Sequence, residues 1–165
     1  MSLHKKGVEM QVFTFLFALI LIALILGYGL KSVVRVKTVS EDVELGDFVF
    51  RLRDEVEMMA SFEVGSSKQV KLFLPEKVER VCFFDGGRDI TMGNLDETLQ
   101  QYLETNLGKN IFVMPFMFAQ NVFLVEHLRP GGQDNPLCFL TQGRVQMRLE
   151  TVLRDDGKVY VEVSR

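Results

Sequence analysis

The sequence predicts an α+β fold: an N-terminal transmembrane helix and an amphipathic helix, followed by a mainly antiparallel β-sheet domain with one further short helix. Three observations predict it. A run without charge, VFTFLFALILIALILGYGL, extends from Val12 to Leu30. Apolar residues then recur at helical spacing from Leu45 to Met59. Beyond Gly65 the pattern changes to short alternating runs separated by Gly, Pro and Asp, which is the signature of strands and turns.

The first run is apolar all round and offers no polar face to water. Its length, about 19 residues at 1.5 Å each, matches the hydrocarbon core of a bilayer. Tyr28 lies where an interfacial aromatic belongs. No small-residue cleavage site follows, so the expectation is a retained anchor rather than a secretory signal. The flanking cations, Lys5 and Lys6 before and Lys31, Arg35 and Lys37 after, are nearly balanced and do not set an orientation. A lipid bilayer contacting the helix over 12–30 is the expected partner.

Residues 1–39 are expected to form a tail, anchor and connector, and residues 40–165 a folded domain. Ser40-Glu41-Asp42 has the residues of a helix start, with a capping hydroxyl and acids at the positive end of the dipole. That helix runs to Ala60, with Leu45, Phe48 and Leu52 on the side facing a sheet. The stretch 32–39 suits either a continuation of the first helix or a bent linker. Strands are expected over Lys68–Leu74 and Val78–Phe84, paired antiparallel, and over Asn110–Met114 and Asn121–Glu126. Leu137–Thr141, Arg144–Leu153 and Lys158–Val163 complete the set. Asn94 can cap a second helix carrying Leu95, Leu99, Tyr102, Leu103 and Leu107, with Gly108 as its stop. Arg129 to Pro136 has the composition of a loop, and the apolar stretch Phe112–Phe118 that of a core segment.

The 165 residues carry a net charge of −3, which gives no basic face for a nucleic acid. Cys82 and Cys138 each lie inside an apolar run. They fit two buried thiols or one disulfide across the sheet, according to compartment, and no spacing suggests zinc. His4 and His127 are the only histidines, and neither stands in a hydrolase, metalloprotease or nucleotide-binding motif. The acids of Asp85-Gly86-Gly87-Arg88-Asp89 are of a type that holds cations, but Gly-rich acidic turns are common. Catalytic residues, cofactor and metal are therefore all expected to be none.

His4-Lys5-Lys6-Gly7, followed by Val8-Glu9-Met10-Gln11 and the apolar helix, resembles the N-terminus of type IV pilin-like proteins, especially archaeal ones. The whole chain also resembles small membrane-anchored archaeal proteins of unassigned function. The pilin resemblance implies cleavage after Gly7 on the cytoplasmic side and packing of the helix into a filament core. Glu9, Phe13 and Phe17 would be assembly residues, and the domain would lie outside the cytoplasm. In the usual pattern a Glu lies five residues after the cut. Here Glu9 lies two after Gly7, and the fifth position is Val12. The expected function is a non-catalytic assembly or interaction protein that contacts copies of itself or another membrane protein. The alternative is a monomeric accessory or ligand-sensing module.

Overall fold

A computed structural model describes the backbone of residues 4–91 and 96–165 and the side chains of residues 13–29, 40–91 and 96–165. The chain divides into two compact units, residues 1–40 and 41–165. Helix α1 runs without a break from His4 to Ala60. No proline interrupts it, so the hydrogen-bond ladder continues through the β-branched stretch 32–39 rather than yielding to a linker. Ser40 is therefore not a helix start.

The expected transmembrane helix needs correction. Among the described residues, no helix is long and apolar enough to cross a membrane. Side chains of the apolar run are described over 13–29. The transmembrane and single-pass descriptions fall with that expectation, and what stands is an α+β fold with two sheets.

In the second unit, strands β1 (Ser67–Phe73), β2 (Arg80–Phe83), β3 (Ile111–Met114), β4 (Val122–Phe123), β5 (Leu128–Pro130), β6 (Leu137–Leu140), β7 (Arg144–Leu153) and β8 (Val159–Ser164) form two four-stranded sheets. Their orders are β1-β7-β8-β5 and β4-β3-β2-β6. All pairings are antiparallel except β5 with β8. The expected pairing of β1 with β2 does not form, because β1 joins β7 while β2 joins β3 and β6. Burial explains the separation. β1 alternates exposed and buried positions and suits a sheet edge with one wet face. β2 is buried at Val81, Cys82 and Phe83, so both of its faces need cover.

One face of β2 meets the main core. There Val81, Phe83, Ile111, Val113 and Phe139 share a cluster with Val70, Met147, Leu149 and Val161 of the other sheet and with Phe48, Leu52 and Val56 of α1. The opposite face, with Cys82, Phe84 and Phe112, is covered by Leu99 and Leu103 of helix α2 (Glu97–Thr105). Asp96 caps α2 by accepting from the Thr98 N–H at 3.3 Å. The expected cap Asn94 and Leu95 lie outside the described residues. Leu107 is past the end of α2 and exposed rather than on its apolar side. Of the apolar stretch 112–118, Phe112, Val113 and Phe118 are buried while Met117 points out.

Gln142-Gly143 turns the chain from β6 into β7 with Gly143 at φ +70°, and its carbonyl accepts from the Leu74 N–H. A side chain there meets left-handed strain, so Gly143→Ala is expected to lower stability by about 1 kcal/mol. Urea unfolding monitored by circular dichroism measures it.

Candidate functional site

Two features stand out, one in each unit. The first is the apolar helix surface. From Phe13 to Tyr28, large apolar side chains are exposed at successive positions and so on every side of α1, with Phe13 at 73% and Phe17 at 56% exposure. Gly7 and Glu9, the expected cleavage and assembly positions, lie outside the residues whose side chains are described.

The second is a polar knot at the end of β2. The chain leaves β2 through Phe84, and Asp85 turns inward with only 3% exposure. Its Oδ1 accepts from the Gly87 N–H at 3.0 Å and from the Arg129 guanidinium, and Oδ2 accepts from Arg154 Nη1 at 3.3 Å. Arg154 also donates from Nη2 to Glu162 Oε1 at 3.0 Å. The Arg129 guanidinium lies 4.4 Å from the centre of the Tyr160 ring, and Tyr160 donates its hydroxyl to Asp156 at 2.8 Å. Arg129 comes from β5 and Tyr160 and Glu162 from β8, while Arg154 follows β7. The knot therefore ties an end of the β2 sheet to the other sheet.

Asn135, fully buried, completes it. Its Oδ1 accepts from the Asp85 N–H, and its Nδ2 faces the carbonyls of Asp85, Arg88 and Asp89 at 2.9–3.2 Å. Burial is the largest influence on the Asp85 carboxyl and pushes its pKa up. The Arg129 hydrogen bond, the Gly87 N–H and the charges of Arg129 and Arg154 together outweigh it and hold the group below its ordinary value. A carboxylate so neutralised is a poor proton acceptor. No buried side-chain polar atom among the described residues lacks a partner, so the knot has the character of a structural clamp. Nor do three His, Cys, Asp or Glu side chains among the described residues stand together as a metal site.

Beside the knot is a cavity of about 300 Å³, lined by the Phe84–Gly87 segment, residues 107–110, residues 124–129 and Tyr160. His127 is exposed at its edge with φ +62°, and its Nδ1 lies 3.2 Å from the Val159 carbonyl. Cys82 and Cys138 sit directly opposite each other on β2 and β6 and are joined in a disulfide, which removes Cys138 as a nucleophile for His127.

Sequence reasoning did not bring Asp85, Arg129, Arg154, Tyr160 and Glu162 together. Arg129 stood in a stretch with the composition of a loop and Arg154 in a hairpin turn. The one local signal was an acid directly after an apolar strand and before two glycines. Comparison of the chain with protein-family models, with curated proteins and with solved structures found no match in any of the three.

Proposed function

We propose that this chain is a non-catalytic assembly protein whose apolar helix surface packs against copies of itself, in the manner of a pilin-like subunit. The observation that carries the reading is the exposure of Phe13 to Tyr28 on all sides of α1. A helix apolar all round belongs in an apolar environment, and a patch this large marks an interaction surface. A single partner helix covers one stripe of another. Coverage on every side takes several neighbours, which repeated copies of one chain supply. The leader-like residues 4–7 support the same reading. The Cys82–Cys138 disulfide supports an oxidising location for the second unit, outside the cytoplasm.

The test uses the full chain extracted from its native host in mild detergent. The expected N-terminus begins after Gly7, read by intact mass, and the wild type is expected to sediment as a multimer. The double variant Phe13→Lys/Phe17→Lys is expected to sediment as a monomer with an unchanged unfolding midpoint for the second unit. A monomeric wild type that instead partitions into lipid vesicles would overturn self-assembly and make lipid the occupant of the helix surface. A second reading, a ligand-sensing accessory module, is favoured by the cavity beside Asp85.

A further inference from the structure

Two surfaces of the second unit face away from the core they share. On α1, Leu45, Phe48 and Leu52 turn into that core, and Phe50 stands on the opposite side with 61% exposure. Asp47, Asp54 and Glu57 lie three, four and seven residues from Phe50 along the helix, so they surround it on the same exposed side. On the first sheet, Val70, Leu72, Val145 and Met147 turn into the core. The alternate positions of β1 and β7 form its outer face, where Phe73 is 69% exposed. Phe73 and Phe50 are the two most exposed aromatic side chains among the described residues of this unit. We propose that these surfaces bind each other between copies: the Phe50 side of α1 in one copy docks on the Phe73 face of β1 and β7 in a second copy.

Charge complementarity carries the inference. Phe73 is flanked by Lys71, whose Nζ lies 5.9 Å from the ring centre, and by Arg144, its direct partner on β7. Neither cation has an ion-pair partner among the described residues. The same face adds Arg148 and Glu150, which pair with each other at 3.4 Å. Glu76 and Glu79 border a cleft with Arg144 past the strand ends, and neither pairs with it. A strand face with three cations and one acid stands out in this unit, which is acidic. Of the chain's 22 acids only Glu9 lies before residue 41, against five of its 19 cations. On α1, Asp54 and Glu57 have no ion-pair partner among the described residues, while Asp47 pairs with Arg51. Arg53, the other cation of that segment, donates to the Leu124 carbonyl at 3.4 Å. Each surface thus presents an exposed phenyl ring beside two unpaired charges, and the signs are opposite. Aromatic anchors with charges around them are the anatomy of a protein interface.

The dimensions agree. From Val43 to Met58 the helix rises about 22 Å, and the seven residues of β1 span about 23 Å. Each surface turns away from the core between them, so one copy cannot join its own two surfaces. The contact is heterologous. Each copy keeps one free surface of either kind, which builds a ring or a filament rather than a closed dimer. A single helix stripe covers less than the roughly 800 Å² per partner of a stable complex. The contact therefore sets the order of copies that the apolar surface from Phe13 to Tyr28 gathers, and in this it rests on the self-assembly reading.

The experiment uses the full chain in mild detergent carrying Gly46→Cys on α1 and Gln69→Cys on β1. Both positions are exposed, and a Cβ at Gly46 meets nothing within 4 Å, so the rings and the charges stay in place. A short bismaleimide is expected to give a ladder of covalent multimers, with peptide masses that join position 46 of one copy to position 69 of another. Lys71→Glu/Arg144→Glu is expected to cut the yield of these mixed links about tenfold, since like charges then face each other. Adding Asp54→Lys/Glu57→Lys is expected to restore them, which a damaged fold could not do. Sedimentation of the wild type is read alongside. A multimeric wild type whose links join only like positions, or whose mixed links survive the first reversal or fail to return with the second, would overturn the inference and leave self-assembly standing. A monomeric wild type would overturn both.

Discussion

Removing the Cys82–Cys138 bond, by reduction or as Cys82→Ala/Cys138→Ala, is expected to lower the stability of the second unit by about 4 kcal/mol. The two cysteines are 56 residues apart in sequence. Cross-linking a loop of that length removes much of the conformational freedom of the unfolded chain, and the loss grows with the logarithm of loop length. The native side of the balance also matters. β6 is a four-residue strand at a sheet edge, with Leu137 and Phe139 in the core but Leu140 at 82% exposure, so it is hydrogen-bonded along one side only. The disulfide fixes it to β2 on the face under α2, while Phe139 packs edge-on against Phe83 on the other face. Urea unfolding with and without reductant measures the effect. The midpoint is expected to fall and the slope to rise, because the reduced unfolded chain exposes more surface. Two thiols that alkylate readily in the native, unreduced chain would show that the bond is absent in solution. An unchanged midpoint would show that edge packing alone holds β6.

Much of the second unit was legible in the sequence, because periodicity and turn residues report burial directly. VQMRLETVL alternates and forms β7, buried at every second position. Leu45, Phe48 and Leu52 recur at helical spacing and enter the main core. The failures have physical causes. Strand pairing is decided by which faces need cover, and periodicity alone did not reveal that β2 is covered on both sides and therefore parts from β1. β5 was missed because Leu128-Arg129-Pro130 contains a proline and is followed by two glycines, so its local composition is that of a loop. Only tertiary pairing with β8 makes it a strand. The polar knot failed for the same reason. Asp85, Arg129 and Arg154 come from distant segments, and no local spacing encodes their meeting. The apolar run at the N-terminus was visible at once. Its composition demands an apolar neighbour without naming one, and this is why the expectation of a membrane span went further than the described helix supports.

Asp85 is the residue whose loss is expected to disturb the fold most after the disulfide. Asp85→Asn keeps the size of the side chain but removes the charge that both guanidiniums share. Breaking a buried ion pair from one side costs about 3–5 kcal/mol, because the remaining charge is left without compensation. The lower end, about 3 kcal/mol, is expected here. Each arginine side chain keeps roughly 30% exposure, and Arg154 retains Glu162. Water therefore screens part of the loss. The sign with pH follows from the depressed carboxyl. A group whose folded pKa lies below its unfolded value stabilises the fold at pH above the unfolded value of 3.8, and that stabilisation is lost as pH falls through the lower folded value. Wild type and Asp85→Asn should thus differ most near neutral pH and converge in strong acid. Urea midpoints at a series of pH values check this, and a gap that persists unchanged below about pH 2 would assign the cost to altered packing instead of charge.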